Sequence, residues 1–251
     1  MSQTDRTPRV ALVTGASRRI GKCVAVDLAR DGWRLVVHYG SHAEEAEGVR
    51  AEIVAAGGHA ITVGGDLADS QTVERLFDAC TRAMGPVTCL VNNASLFIED
   101  SIDRLDPVVW DRQFAVNLRA PVLLAKAFAE RLPPELEGNI VNIVDQRVLA
   151  PTPDFFSYSL SKAGLLTATR MLAQALAPRI RVNGIGPGPV LRSVYQDDAS
   201  FAAEVDSTLL RRATTPSEIA AAVRFILDAP SLTGQMLALD AGQHLVWRAS
   251  E

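Results

Sequence analysis

The sequence predicts an α/β fold: one doubly wound parallel sheet of about seven strands with helices on both faces, forming a single domain over residues 1–251. Three observations predict it. Short apolar runs rich in β-branched residues alternate with longer helical patterns along the whole chain, as in repeated β-α units. The apolar runs lack a polar alternation, which suits strands buried on both faces. The residues able to do chemistry cluster just after those runs, beyond the carboxyl ends of the strands, where open α/β sheets hold their ligands.

Composition bounds the function classes. A chain of 251 residues that is 48% hydrophobic is long enough for one sizeable core. A formal charge of −4 and a pI near 5.6 give no basic excess for nucleic acid. No apolar run reaches membrane-spanning length, so neither a nucleic acid nor a membrane is expected as a partner. The polar start, Met1 to Arg9, passes straight into a strand; no leader and a cytoplasmic location are expected. Cys23, Cys80 and Cys89 read as reduced thiols, and the histidines lack partners at metal-ligand spacing, so no metal is expected.

The first strand, Arg9–Thr14, is followed by Gly15-Ala16-Ser17-Arg18-Arg19-Ile20-Gly21 and a helical pattern from Lys22 to Asp31. Strand, glycine turn and helix start together place a phosphate on free backbone N–H groups. Gly15 allows the sharp turn and Gly21 close helix–strand packing, while Arg19 replaces the usual middle glycine. The second strand, Arg34–Tyr39, includes His38 and ends in Gly40-Ser41-His42, with no acidic residue to hold ribose hydroxyls. Arg18 is either a solvated helix-start residue or, with Ser41 and His42, a partner for a 2′-phosphate, which favours NADP over NAD. A helix from Ala43 to Ala56 follows, then a third strand, His59–Val63, running into Asp66 and Leu67. Asp66 suits either a cap or an adenine contact, and Asp69 is the better cap for a helix from Thr72 to Met84.

The fourth strand, Val87–Val91, leads to Asn92-Asn93-Ala94-Ser95-Leu96-Phe97, whose amides are able to tie strand ends together. Asp106-Pro107 opens a long helix to about Leu132, with Asn117 in its middle. That Asn either satisfies neighbouring backbone groups or holds a water in a proton relay. A fifth strand, Ile140–Val144, ends at Asp145, and a helix from about Phe155 to Ala177 carries Tyr158 and Lys162. Residues four apart share a helix face, so an ammonium beside the phenol is expected to lower its pKa towards a useful range. The sixth strand, Arg179–Ile185, ends in a rigid loop, Gly186-Pro187-Gly188-Pro189-Val190, able to press on a nicotinamide. Residues 192–211 are the least regular and suit a mobile lid. A helix from Pro216 to Asp228 and a strand, Gln235–Asp240, complete the chain.

Thr14-Gly15 with Gly21, Asn92-Asn93-Ala94, Asn117, Tyr158-x3-Lys162 and Pro187-Gly188 together resemble the short-chain dehydrogenase/reductase family over essentially the whole chain. The resemblance implies a Rossmann-type domain, nicotinamide-dependent oxidoreduction and often a homotetramer built through two long helices. It implies Tyr158 as proton donor, Lys162 on the nicotinamide ribose and acidifying Tyr158, and Asn117 supporting the relay. It places the cofactor along Gly15 to Gly21, His38, Tyr39, Ser41, Asp66, Leu67, Asn93 to Ser95, Pro187, Gly188 and Val190. Three departures, Arg19, Ser95 and Asp145, look like the pteridine reductase branch, which uses NADPH on pterin rings. In that branch Arg19 reaches phosphates and the pterin edge, Ser95 contacts both ligands, and Phe97 stacks on the pterin.

The chemistry agrees. An ionised carboxylate accepts hydrogen bonds and cannot donate them, so Asp145 suits an N–H-bearing heterocycle better than a ketone oxygen. Phe97 offers a flat ring a stacking surface. The expected activity is reduction of a pterin C=N bond. The alternatives are a carbonyl reductase and a cofactor-binding regulator without catalysis.

Overall fold

The computed structural model describes residues 9–247. The N-terminal stretch on which the expectation about a leader rested, up to Pro8, and the tail after Trp247 lie outside the described residues. Seven strands form one parallel sheet: β1 (Val10–Val13), β2 (Arg34–Tyr39), β3 (Ala60–Gly64), β4 (Cys89–Asn92), β5 (Gly138–Ile143), β6 (Ile180–Pro187) and β7 (Met236–Leu239). Their order is β3-β2-β1-β4-β5-β6-β7. The chain winds outward from β1 to β3, then returns to lay β4 on the other side of β1. That reversal opens a crevice at the carboxyl ends of β1 and β4. In register, Val13 lies opposite both Val37 and Val91, which brings the turn after β1 level with the ends of β2 and β4.

Alternation along each strand divides the core in two. Ala11, Val13, Leu35 and Val37 pack under α1 (Arg19–Arg30), α2 (Ala43–Ala55) and α8 (Pro216–Asp228). Val10, Leu12, Val36 and Leu90 pack against α3 (Ser70–Met84) and α5 (Ala120–Arg131). Asp69 caps α3 through Gln71 N–H, as expected, and Thr215 and Glu218 form a reciprocal cap on α8. No helix among the described residues is long and apolar enough to cross a membrane. All three cysteines are free; burial pushes the Cys80 and Cys89 thiols up to about 12.

Two elements depart from expectation. The long helix is three pieces: α4 (Pro107–Phe114), a π turn over Ala115–Arg119, and α5. Asn117 sits inside the wide turn. Such turns insert one residue into the helical ladder and gather at functional sites. Residues 192–211 are also more regular than expected. They hold α7 (Asp198–Asp206), opened by a capping box between Asp197 and Ser200. The helix with the Tyr-Lys pair is α6 (Phe156–Leu176), whose preceding residue Phe155 takes a left-handed φ of 53°.

Candidate active site

The turn after β1 is fixed by its neighbours. Thr14 Oγ1 accepts the backbone N–H groups of Asn93 and Ala94 at 2.9 and 3.0 Å. Asn93 Nδ2 donates back to the carbonyls of Thr14 and Gly15. Asn92 Nδ2 donates to Asn142 across the sheet, so the Asn pair does tie strand ends together. Gly15 has φ +61°, and a Cβ there would come within 2.9 Å of Ala94 Cα; one on Gly21 would overlap the Gly15 carbonyl. No side chain fits between turn, helix and β4, so the backbone N–H groups stay accessible to a ligand.

His38 supports this turn from below. Its Nδ1 accepts the Gly15 N–H at 3.2 Å, which leaves Nε2 to donate to the Gly65 carbonyl at 3.0 Å. Burial lowers its pKa to about 4, so the imidazole is neutral and carries no charge for a phosphate.

A cleft of about 1110 Å³ runs along these strand ends. Among the expected cofactor residues it is lined by Gly15, Ser17, Arg18, Arg19, Ile20, Gly21, His38, Ser41, Asp66, Leu67, Asn93, Ala94, Ser95, Pro187, Gly188 and Val190. Phe97, Asp145, Tyr158 and Lys162 line it as well. Tyr39 and Asn117 do not. On an alternating strand His38 turns towards the glycine turn, and Tyr39 turns away to lay its ring beside Gly64. Asp66 answers both its readings in part: it faces the cleft, but its oxygens accept the Ala68 N–H and the Arg112 guanidinium. The Ala68 bond is the main cause holding that carboxyl below its usual range.

At the other end of the cleft Tyr158 OH donates to Asp145 Oδ2 at 2.8 Å, and Arg147 N–H donates to Asp145 Oδ1 at 2.8 Å. Asp145 therefore caps the short turn after β5 and faces the cleft at once. Burial raises the Asp145 carboxyl, against the Arg147 and Tyr158 hydrogen bonds and nearby cations. Burial and the charge of Asp145 push the Tyr158 phenol well above its ordinary value. That corrects the expectation that Lys162 acidifies Tyr158. The ammonium lies 5.7 Å from the Tyr158 ring centre and donates to the Ile143 carbonyl at 2.8 Å. Burial lowers Lys162 to about 8. Tyr158 thus donates its proton to Asp145 along a hydrogen bond of ordinary length.

The side chain of Asn117 takes the structural one of its two readings. Fully buried, its Oδ1 accepts from Leu96 N–H and Ser95 Oγ, and its Nδ2 donates to the Leu96 carbonyl and Ser161 Oγ. Both lone pairs and both protons are taken, so the amide satisfies neighbouring groups and has none left for a water. Around the substrate end, Phe97 stacks on Phe155 with ring centres 4.1 Å apart and planes at 10°. Tyr158 stands edge-on to Phe97 at 4.7 Å, and Tyr195 closes the group at 6.0 Å. Phe155 and Tyr195 were not legible as site residues: one lies before a helix start, the other in the segment expected to be irregular.

Residues 9–201 match the family model described as short chain dehydrogenase. The chain belongs to that family. It is 32% identical over 243 residues to the 3-oxoacyl-[acyl-carrier-protein] reductase of Synechocystis, covering 95% of this chain and 98% of that one. The solved structure of FolM alternative dihydrofolate reductase 1 from Brucella canis, complexed with NADP, superposes with a TM-score of 0.93 at 46% identity, covering 96% of each chain. The angucycline C-6 ketoreductase LanV with bound NADP follows the same fold with a TM-score of 0.88 at 29% identity, covering 94% of this chain and 96% of that one.

Within this short-chain dehydrogenase the three departures are structurally distinct. Arg19 has φ +54°, a conformation that favours glycine, and its guanidinium donates to the Leu191 and Arg192 carbonyls at 3.0 Å. It therefore clasps the start of the 192–211 segment. Ser95 binds Asn117, and Asp145 binds Tyr158.

Proposed function

We propose that this chain is an NADPH-dependent reductase of a pterin ring C=N bond. The single observation that carries the reading is Asp145: a half-buried acceptor on the cleft, hydrogen-bonded to the catalytic phenol beside an aromatic wall. Each carboxylate oxygen has one protein donor and keeps a lone pair. Two ring N–H groups of an amino-substituted heterocycle have somewhere to bond. The 46% identity with the FolM structure supports the same substrate class.

The residues fit the cofactor. The glycine turn leaves no room for side chains, and Arg18, Ser41 and His42 line the cleft beyond it, with donors for a 2′-phosphate. When bound, NADPH would supply the hydride for the ring carbon of the C=N bond. Tyr158 gives its proton to the adjacent nitrogen, and Asp145 holds the phenol in line and orients the ring. Lys162, fixed by Ile143, grips the nicotinamide ribose. Phe97 and Phe155 position the flat ring. Asn117 holds Ser95 and Leu96 in place instead of carrying protons. The reading extends to a cytoplasmic homotetramer packed through α4, α5 and α6.

The alternative of carbonyl reduction draws on the 3-oxoacyl reductase activity named for the Synechocystis relative. NADPH oxidation measured with dihydrobiopterin, dihydromonapterin, dihydrofolate and a set of ketones separates the two. Turnover of at least one pterin is expected. Turnover of a ketone and no pterin overturns the proposal, and no turnover at all favours a regulator.

A further inference from the structure

Two stacked rings, Phe97 and Phe155, come from separate segments, and neither segment is a strand or helix at that point. Something else must fix their spacing. The fixing groups lie behind the rings. Gln113, on α4, is fully buried and does not line the cleft. Its Oε1 accepts the Ile98 N–H and its Nε2 donates to the Ile98 carbonyl, both at 3.2 Å. The same Nε2 donates to Ser157 Oγ on α6. Asn117, four residues later, repeats the pattern with Leu96 and Ser161.

These bonds form a ladder. Gln113 and Asn117 present amides four residues apart, as do the hydroxyls of Ser157 and Ser161, so each pair shares one helix face. Between them Leu96 and Ile98 give both backbone groups to a side-chain amide, as they would to a neighbouring strand. Phe97 is held from both flanks. Asp100 finishes the clamp: its carboxylate accepts the Ser157 N–H at 3.1 Å and its carbonyl the Phe156 N–H. The α6 start, which has no cap of its own, is capped from the segment that carries Phe97.

We infer that Gln113 is a positioning residue that sets the substrate platform, acting through Ile98 on Phe97 and through Ser157 on Phe155. The inference deepens the pterin reading and rests on it. Gln113 touches neither substrate nor cofactor. Replacing its amide takes from the partly buried Ile98 N–H and C=O their protein partners, and the ring pair loses its reference to α6. The cofactor end of the cleft is tied down by Thr14 and Asn93 instead and is unaffected.

The experiment is a double-mutant cycle between Gln113→Leu and Phe97→Leu, read as KM for the preferred dihydropterin beside the dissociation constant for NADPH. Gln113→Leu is expected to raise the pterin KM about tenfold with NADPH binding unchanged. In the Phe97→Leu background the same change is expected to add less than about twofold, because the platform it positions is gone. Equal effects in both backgrounds overturn the proposal, as does a parallel loss of NADPH affinity, which marks a merely structural residue. If Gln113→Leu does not fold, Ser157→Ala carries the same cycle, with a smaller rise and the same dependence on Phe97. Wild-type protein inert towards every pterin overturns both this inference and the functional reading; an active wild type with independent effects overturns this inference alone.

Discussion

Replacing Asp145 with Ser exchanges an acceptor-only carboxylate for a hydroxyl able to donate to a ketone oxygen, so it separates pterin from ketone chemistry in one change. The carboxylate has two oxygens, each engaged by one protein donor at 2.8 Å and each with a lone pair left for the ligand. A serine hydroxyl reaches one of those positions at most. A hydrogen bond to a charged group contributes about 1.5–3 kcal/mol. At about 1.36 kcal/mol per decade, one lost bond is roughly 10- to 150-fold in rate. Tyr158 also loses the acceptor that orients its hydroxyl. We expect kcat/KM for the dihydropterin to fall about a hundredfold in Asp145→Ser. NADPH affinity, measured by its fluorescence on binding, should stay at the wild-type level because the glycine turn is untouched. Pterin turnover within about threefold of wild type, or a gain in ketone turnover with no loss on pterin, refutes the reasoning.

Three further outcomes follow from the geometry. Lys162 is lowered from 10.5 to about 8, so the unfolded chain binds more protons than the folded one between those values and stability from this group rises across that window. Lys162→Met should therefore show a Tm advantage at neutral pH that shrinks as pH approaches 10.5; parallel Tm curves contradict it. His38 is lowered from 6.5 to about 4, so its contribution is complete above 6.5 and is lost as pH falls towards 4. His38→Asn should flatten the acid limb of the Tm profile, and an unchanged limb argues against a buried neutral imidazole. Arg19→Gly removes a left-handed non-glycine residue worth about 1 kcal/mol of strain, so Tm should hold or rise. Hydrogen exchange should nonetheless quicken in residues 191–197, which lose their clasp; unchanged exchange there sinks the lid role.

The fold was legible because strand burial writes itself into composition. Apolar runs without alternation gave the strands, and the glycine turn gave the crevice between β1 and β4. The site was legible where one residue type does one job, as with Gly15, Asp145 and Tyr158. It was less so where role depends on direction or on partners from elsewhere. Tyr39 sits at the right strand end but faces away by alternation. Asn117 reads equally as a relay member or a satisfied amide until its four partners are known. The direction of the Tyr158 shift comes from burial first and then from the charge of Asp145, neither of which spacing along α6 reveals. Gln113 gave no signal at all, since its partners Ile98 and Ser157 are 15 and 44 residues away in the chain. α7 went unread although Asp197 and Ser200 frame its start, in a segment expected to be irregular.

The most direct test of the central claim is a ternary structure with NADP and a dihydropterin. The account predicts the bicycle lying against Phe97 with ring N–H groups within hydrogen-bond distance of the Asp145 carboxylate and Tyr158 OH next to the ring nitrogen to be protonated. A pterin bound elsewhere, with Asp145 bonded only to Tyr158 and Arg147, contradicts it.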